Sequence, residues 1–288
     1  MALGVVLLAA SPAFSAPEPV TAAIPPGQLI RWEGPFAACK QETETWAPLP
    51  DGSCLFAVDL LERASELEIR AITDDTDRIA RLLVLDYPWP VQRITLKDDR
   101  HVHLSEADLA RVQRENARIR ALWKLNTPRR WHLPLHPPLA DLPHGGRFGS
   151  RRFINGEPRN PHSGADYPAA EGTPVLAADD GTVVLAEEHF FAGNSIFIDH
   201  GDGLISMYFH LSRIDVQPGQ SVERGQVIGA VGATGRATGP HLHFGIRWKG
   251  RRIDPADFLT PPADLPAIMA APLLAEPLRG VSAATRAQ

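Results

Sequence analysis

Short apolar runs cut by Pro, Gly and Asp dominate the first third of the chain. Ser53-Cys54-Leu55-Phe56-Ala57-Val58, Glu66-Leu67-Glu68-Ile69-Arg70 and Leu82-Leu83-Val84-Leu85 have strand length and turn residues beside them, so residues 24–104 read as a small β-rich domain. The period then changes. Ser105-Glu106-Ala107-Asp108 resembles a capping box in its Asp form, with Leu104 and Leu109 placed as a hydrophobic staple. Leu109, Val112 and Leu122 keep near-helical spacing, while Arg111, Arg114, Glu115, Arg118 and Arg120 occupy other faces; this predicts one amphipathic helix to about residue 124, its arginines on a solvated face. Between 126 and 146, Pro128, Pro134, Pro137, Pro138 and Pro143 with a closing Gly145-Gly146 predict an extended connector and a domain boundary.

Residues 147–260 are rich in Gly and β-branched positions. Thr173-Pro174-Val175-Leu176-Ala177, Gly181-Thr182-Val183-Val184-Leu185, Ser195-Ile196-Phe197-Ile198 and Val227-Ile228-Gly229 predict short strands of an all-β domain. From 261 to 288 the sequence is Pro- and Ala-rich and holds too little apolar surface to fold, which predicts disorder. The resulting division is 1–16, 17–104, 105–146, 147–260 and 261–288, with a mainly β fold and one connecting helix.

Composition adds limits. A chain of 288 residues, 44% hydrophobic and 22% charged, has enough apolar material for two small cores. A formal charge of -5 gives no basic stripe, which excludes nucleic acid as the expected partner. Residues 2–10 are apolar and 11–16 offer small residues at plausible cleavage positions, as in a secretory signal, although no Lys or Arg precedes Arg31 to supply the usual positive flank. The run is too short to span a bilayer, so no transmembrane helix is expected in the mature chain. The two cysteines, Cys39 and Cys54, fit one disulfide closing a short loop or two separate buried thiols, and neither has the spacing of a metal ligand.

The chemistry lies in the histidines. In His241-Leu242-His243-Phe244-Gly245-Ile246 strict alternation puts both imidazoles on one face of a strand and Leu242, Phe244 and Ile246 on the other. The same rule applied to Ser206-Met207-Tyr208-Phe209-His210-Leu211 groups Ser206, Tyr208 and His210 against an apolar face of Met207, Phe209 and Leu211. His162 and Asp166 would be about 13 Å apart along a strand. Pro161, Gly164 and Pro168 argue against a helix, which leaves a loop bent at Gly164.

His162, Asp166 and His243 together offer two imidazoles and a carboxylate to Zn²⁺ and leave its fourth position to water, the arrangement of hydrolytic zinc. His210 and His241 then suit proton transfer and oxyanion stabilisation, one taking the water's proton and the other donating to the oxyanion. Tyr208 either adds a phenolic donor there or is a packed residue with its hydroxyl satisfied. His101, His103, His189 and His200 are read as ordinary structural or surface histidines.

These motifs resemble those of the M23 family metallopeptidases, the lysostaphin-like or LytM-type peptidoglycan endopeptidases. His162-Ser163-Gly164-Ala165-Asp166 is similar to the family's H-x-G-x-D. Gly172-Thr173-Pro174-Val175, Asn194, Ile198-Asp199-His200-Gly201, Tyr208-Phe209-His210-Leu211 and Thr238-Gly239-Pro240-His241-Leu242-His243-Phe244 follow in order, over about residues 148–259. The resemblance implies an antiparallel β groove with zinc at its floor, His162, Asp166 and His243 as ligands, and His210 and His241 as catalytic histidines. It also implies peptidoglycan stems or cross-links as substrate; with the apolar run at 2–10, the ligand set leads to the expectation of an exported protein in the periplasm of a Gram-negative bacterium, with cell-wall enzyme regulators as candidate partners. The segment before the catalytic domain looks like the accessory region of some exported members.

Two rival readings follow from the same residues. A non-catalytic activator of another wall hydrolase would have lost a ligand or a catalytic histidine, and none of the five is replaced. The run 216–228 resembles the repeat of lipoyl or biotinyl carriers, but Lys249 sits near a strand end after Trp248 and not at a hairpin tip, so the likeness implies a barrel-sandwich-hybrid-like fold and not carrier function. Gly232-Ala233-Thr234-Gly235-Arg236 lacks the GK[ST] of a phosphate loop and reads as a turn. Specificity is expected to rest on loops such as 187–193.

Overall fold

The computed structural model describes residues 20–269 apart from 75, 97, 98 and 144; the expected signal segment 1–16 lies outside them. The molecule is mainly β. Strand Val20–Ile24 pairs in parallel with Asp77–Val84, and Glu66–Ile72, Ala38–Gln41 and Glu44–Trp46 complete a five-stranded sheet. Alternation decides its faces: Ile69, Ala71, Ala80 and Leu82 are buried, while Ile79 and Leu83 face outward. Cys54–Ala57, buried at every position, pairs with Leu29–Trp32, and a disulfide ties Cys39 to Cys54 with 5.5 Å between Cα atoms. This settles the cysteines as a pair.

The helix spans Glu106–Leu122, with Ser105 at its N-cap accepting from Asp108 N–H. Its arginines are not simply solvated. Arg118 ion-pairs with Glu187 at 2.8 Å, Arg111 reaches Glu188 at 3.6 Å, and Glu115 accepts from Phe190 N–H at 3.0 Å, so the polar face binds the hairpin at 187–193. Ile119 and Leu122 meanwhile pack on a small cluster of Leu185, Phe197, Ile205 and Met207.

The segment 126–146 is extended, as its prolines require, but it is a packed strip. Trp131, Leu135 and Leu139 are buried, and the Trp131 ring meets Trp248 at 6.2 Å and Phe258 at 6.0 Å. In the seven-stranded sheet Ala165–Pro168, His241–Trp248, Leu204–Leu211, Gly193–Asp199, Gly181–His189 and Ser221–Val222 lie in that order, with Arg251–Ile253 pairing alongside His241–Trp248. A three-stranded sheet of Pro174–Leu176, Val227–Ala230 and Arg213–Ile214 packs beside it in a shared core.

The N-terminal and C-terminal halves share that one apolar cluster, which runs from Ile24 through Trp46 and Trp248 to Ile268. Trp46 contacts Trp248 edge-on at 5.5 Å, Arg251 ion-pairs with Glu44 at 3.0 Å, and Arg252 with Asp59 at 2.9 Å. Strand Val91–Ile94 pairs in parallel with Arg151–Ile154. The disorder expected from residue 261 needs correction for its first part. Pro262–Asp264 forms a 3-10 turn, and Ala267–Ile268 adds a third, parallel strand beside Leu29–Trp32, burying Leu265 and Ile268. A few apolar residues suffice there because Trp32 and Ile30 already offer a buried face. Residues 270–288 lie outside those described.

Candidate metal centre

The centre is built on register. Asp166 lies directly opposite His243 across the antiparallel pair Ala165–Pro168 and His241–Trp248, so both side chains leave the sheet on one face. His162 arrives from the loop just before, which bends at Gly164. Gly164 is required by close approach: a Cβ there would lie 2.6 Å from His243 Nε2 and 2.6 Å from the Phe244 carbonyl. Gly146 runs beside Asp166, accepting its N–H at 3.2 Å, and this sets the Arg147 carbonyl against the His162 ring.

Three ligand atoms converge. His162 Nε2 is 2.9 Å from His243 Nδ1 and 3.0 Å from Asp166 Oδ1, and His243 Nδ1 is 2.9 Å from the same oxygen. His162 Nδ1 faces the Arg147 carbonyl at 2.9 Å, an atom that can only accept, so that nitrogen carries the proton and Nε2 presents a lone pair. Burial presses the His162 imidazole down to about 4 and lowers His243 as well, which keeps both rings in the neutral form a metal requires. Burial alone would raise the Asp166 carboxyl, but its close contacts with the two imidazoles, of which His243 Nδ1 can donate to Oδ1, outweigh it and hold the group well below the usual carboxylate range. At most one proton, on His243 Nδ1, is available to three atoms that present lone pairs to one another; a divalent cation satisfies all three at once. The donor set therefore fits a metal.

Outer contacts fix these ligands. Arg152 donates to the second Asp166 oxygen at 3.1 Å, Gln92 accepts from Arg152 Nε at 2.9 Å, and Phe209 stacks on His243 at 5.1 Å with the rings 6° apart. Two further histidines stand at the same cavity. His210 Nδ1–H donates to Thr234 O at 2.9 Å and His241 Nδ1–H to Gly239 O at 2.8 Å, which in the neutral rings leaves Nε2 of each as a lone pair. Their rings are 4.8 Å apart, and His241 Nε2 lies 3.9 Å from Asp166 Oδ1. His210 is pressed down to about 3 by burial and by the neighbouring His243 and His241.

Tyr208 needs correction as an oxyanion or substrate residue. It is fully buried opposite Phe244 on the core face, where its hydroxyl accepts from Ala178 N–H at 2.8 Å and from Ser206 Oγ at 3.0 Å, and burial raises its pKa. Phe209, expected on the apolar side, is the residue opposite His243 and faces the site. His210 nevertheless reaches the site because its backbone is left-handed, φ +66°, which breaks the alternation. Local spacing gives no sign of this turn. Nor could it reveal Arg152 or Gln92, which meet through strand pairing 60 residues apart. Of the histidines read as ordinary, His200 is buried between Asp180 O and Ser206, His189 bonds Ser195, and His101 stands beside Phe190 at the cavity rim.

The cavity over these residues has a volume of about 890 Å³ and extends from the metal-type cluster to Gln92, Val102 and Asn116 on the N-terminal side. A His-Asp-His donor set, with both histidines buried and two further imidazole lone pairs beside an open groove, fits a metal-dependent hydrolase. Residues 160–255 match Peptidase family M23. The structure is similar to a solved chain from Pseudomonas aeruginosa assigned to peptidase M23, with 31% identity, a TM-score of 0.62, and coverage of 84% of this chain and 95% of that one. The protein belongs to peptidase family M23. It is also similar to the peptidoglycan DD-endopeptidase ShyA of Vibrio cholerae, 48% identical over 94 residues, and to the DD-carboxypeptidase/endopeptidase Mpg of Neisseria meningitidis, 41% identical over 104 residues. These matches cover 33% and 36% of this chain but only 22% and 24% of those proteins.

Proposed function

We propose that the protein is an exported zinc endopeptidase that hydrolyses peptide bonds in the stems or cross-links of peptidoglycan. The observation that carries this reading is the convergence of His162 Nε2, Asp166 Oδ1 and His243 Nδ1, with the rings of His210 and His241 held at the same cavity. In this reading His162, Asp166 and His243 hold the metal. When bound, zinc supplies Lewis-acid polarisation of the scissile carbonyl and lowers the pKa of a bound water toward neutrality. His210 and His241 are fixed by backbone carbonyls so that only Nε2 of each faces the groove. One takes the proton of the attacking water and passes it to the leaving amine, while the other, once protonated at Nε2, donates to the oxyanion.

The substrate class rests on the likeness to the Vibrio and Neisseria proteins, and export to the periplasm on the apolar run at 2–10 together with the Cys39–Cys54 disulfide. The complete set of five side chains favours an enzyme over a non-catalytic activator. Residues 147–260 form the catalytic unit in this proposal, with 17–104 and 105–146 supporting it and positioning substrate along the groove wall.

The test is turnover of cross-linked muropeptides by the full chain loaded with zinc. His210→Ala and His241→Ala are expected to retain one zinc per chain and lose at least about 100-fold in kcat. His162→Ala and Asp166→Ala are expected to lose the metal itself. Zinc-loaded wild-type protein that leaves the muropeptides intact would overturn the activity, and four variants with the same metal content would overturn the division of roles.

A further inference from the structure

The groove beside the metal-type cluster is strongly one-sided in charge. Arg147, Arg152, Arg159 and Arg236 line it, and among its described lining residues Asp166 is the one carboxylate. That carboxylate is already engaged, one oxygen by the two histidines and the other by Arg152. Arg159 is engaged too, with Glu157 at 2.6 Å and the Val102 carbonyl at 3.1 Å.

Arg236 differs from both. Among the described residues no side chain or carbonyl takes a hydrogen bond or ion pair from its guanidinium, which lies over the Phe191 ring at 4.5 Å. Its pKa is nonetheless pressed down to about 10, by burial first and then by the charges of Arg152 and Arg159. A half-buried cation that is desolvated, faces two like charges and lacks an anion is a costly arrangement, and an incoming anion relieves it. Guanidinium is the side chain best suited to take one, because its planar fork matches the two oxygens of a carboxylate.

The backbone beneath Arg236 is fixed. Its N–H donates to Phe191 O at 2.9 Å, and Gly235, at φ +67°, packs so closely that a Cβ would lie 2.3 Å from Gly193 N and 2.7 Å from Phe191 O. Thr234, two residues earlier in the same turn, holds His210 through its carbonyl. One short turn thus sets both a histidine of the reaction site and a half-buried arginine whose guanidinium has no anionic partner among the described residues. A substrate anchored at Arg236 is held in fixed register with His210.

We propose that Arg236 is the anchor of a carboxylate-binding subsite in this groove, which takes a free carboxylate of the peptide substrate beside the scissile bond. The peptide nature of the ligand rests on the reading under "Proposed function"; the demand for an anion rests on the arginines alone.

The experiment compares a cross-linked stem-peptide dimer with its carboxylates free and the same dimer with them amidated. The full-length zinc-loaded protein and its Arg236→Gln and Arg236→Lys variants are used, with kcat and KM measured for turnover and Kd by calorimetry for binding. For wild type the amidated dimer is expected to show at least a 10-fold higher KM and Kd with kcat within about 3-fold, the mark of lost binding and not lost chemistry. In Arg236→Gln the ratio of amidated to free is expected to fall to near one, and Arg236→Lys to recover part of it, with melting temperature and zinc content unchanged in both. A wild-type protein that treats the two dimers alike, or an Arg236→Gln variant that keeps the full ratio, overturns the subsite. The wild-type comparison overturns the subsite by itself if the two dimers are treated alike, and Arg236→Lys keeps the assignment to Arg236 testable if Arg236→Gln fails to fold. Turnover without discrimination would sink the subsite and leave the peptidase reading standing; discrimination in Kd without turnover would do the reverse.

Discussion

The place of Asp166 directly opposite His243 depends on a strand register that local spacing, which gives only a loop bent at Gly164, does not carry, whereas the shared face of His241 and His243 follows from alternation along one strand. Tyr208 was misplaced by the same rule. The left-handed backbone at His210 returns that imidazole to the site face, so Phe209 takes the position beside His243 that alternation assigned to its neighbour. Gly164 lies at a bend, but its constraint is space. A Cβ in contact with His243 Nε2 must move either the ring or the strand. Gly164→Ala is therefore expected to weaken zinc binding at least about 10-fold while leaving far-ultraviolet dichroism unchanged, measured by competition with a chromophoric chelator; undiminished affinity would mean that the loop gives way freely.

Strands and loops of the N-terminal region complete the groove. Val91–Ile94 delivers Gln92 to Arg152, and Arg152 in turn orients Asp166. Gln92→Ala is expected to lower metal affinity by about 10-fold without changing kcat of the loaded enzyme by more than a few-fold; loss of kcat at full metal occupancy would place Gln92 in the reaction itself. A second link joins the short helix Pro255–Phe258 to strand Leu29–Trp32, where Asp257 accepts from Leu29 N–H at 2.7 Å. Burial, reinforced by Asp254 and only partly offset by the Leu29 N–H, pushes the Asp257 carboxyl up to about 7 from 3.8. The folded state thus binds this proton more tightly than the unfolded chain. The contribution is full below about pH 3.8 and is lost as the pH rises toward 7. Asp257→Asn, which cannot ionise, is expected to be more stable than wild type at pH 8 by roughly 1 to 3 kcal/mol, with the gap narrower at pH 5 and closed only below about pH 3.8. Urea melts at the two pH values check this, and a gap that widened at pH 5 would reverse the sign of the argument.

The two halves of the molecule looked like separate domains because composition changes abruptly at the proline-rich strip. Packing overrides that boundary: Trp131 from the strip, Trp46 from the N-terminal sheet and Trp248 from the catalytic sheet share one cluster. Pro spacing predicts extension, but it carries no information on what an extended strip lies against. Calorimetry of the full chain is accordingly expected to show a single transition. An isolated segment of residues 147–260, with Trp248 and Arg251 stripped of their partners, is expected to melt well below it. Two resolved transitions in the full chain would restore the two-domain picture. The third strand at Ala267–Ile268 also bears on how the chain acquires its shape. Leu29–Trp32 meets that partner across more than 230 residues, with Arg31 opposite Ala267. A chain emerging from its amino end first therefore holds an unfinished sheet edge until Ala267 and Ile268 have been made. Such long-range closure slows folding and leaves an adhesive strand uncovered in the meantime, so trimming the carboxyl end back past Ala267 should favour aggregation before it touches catalysis.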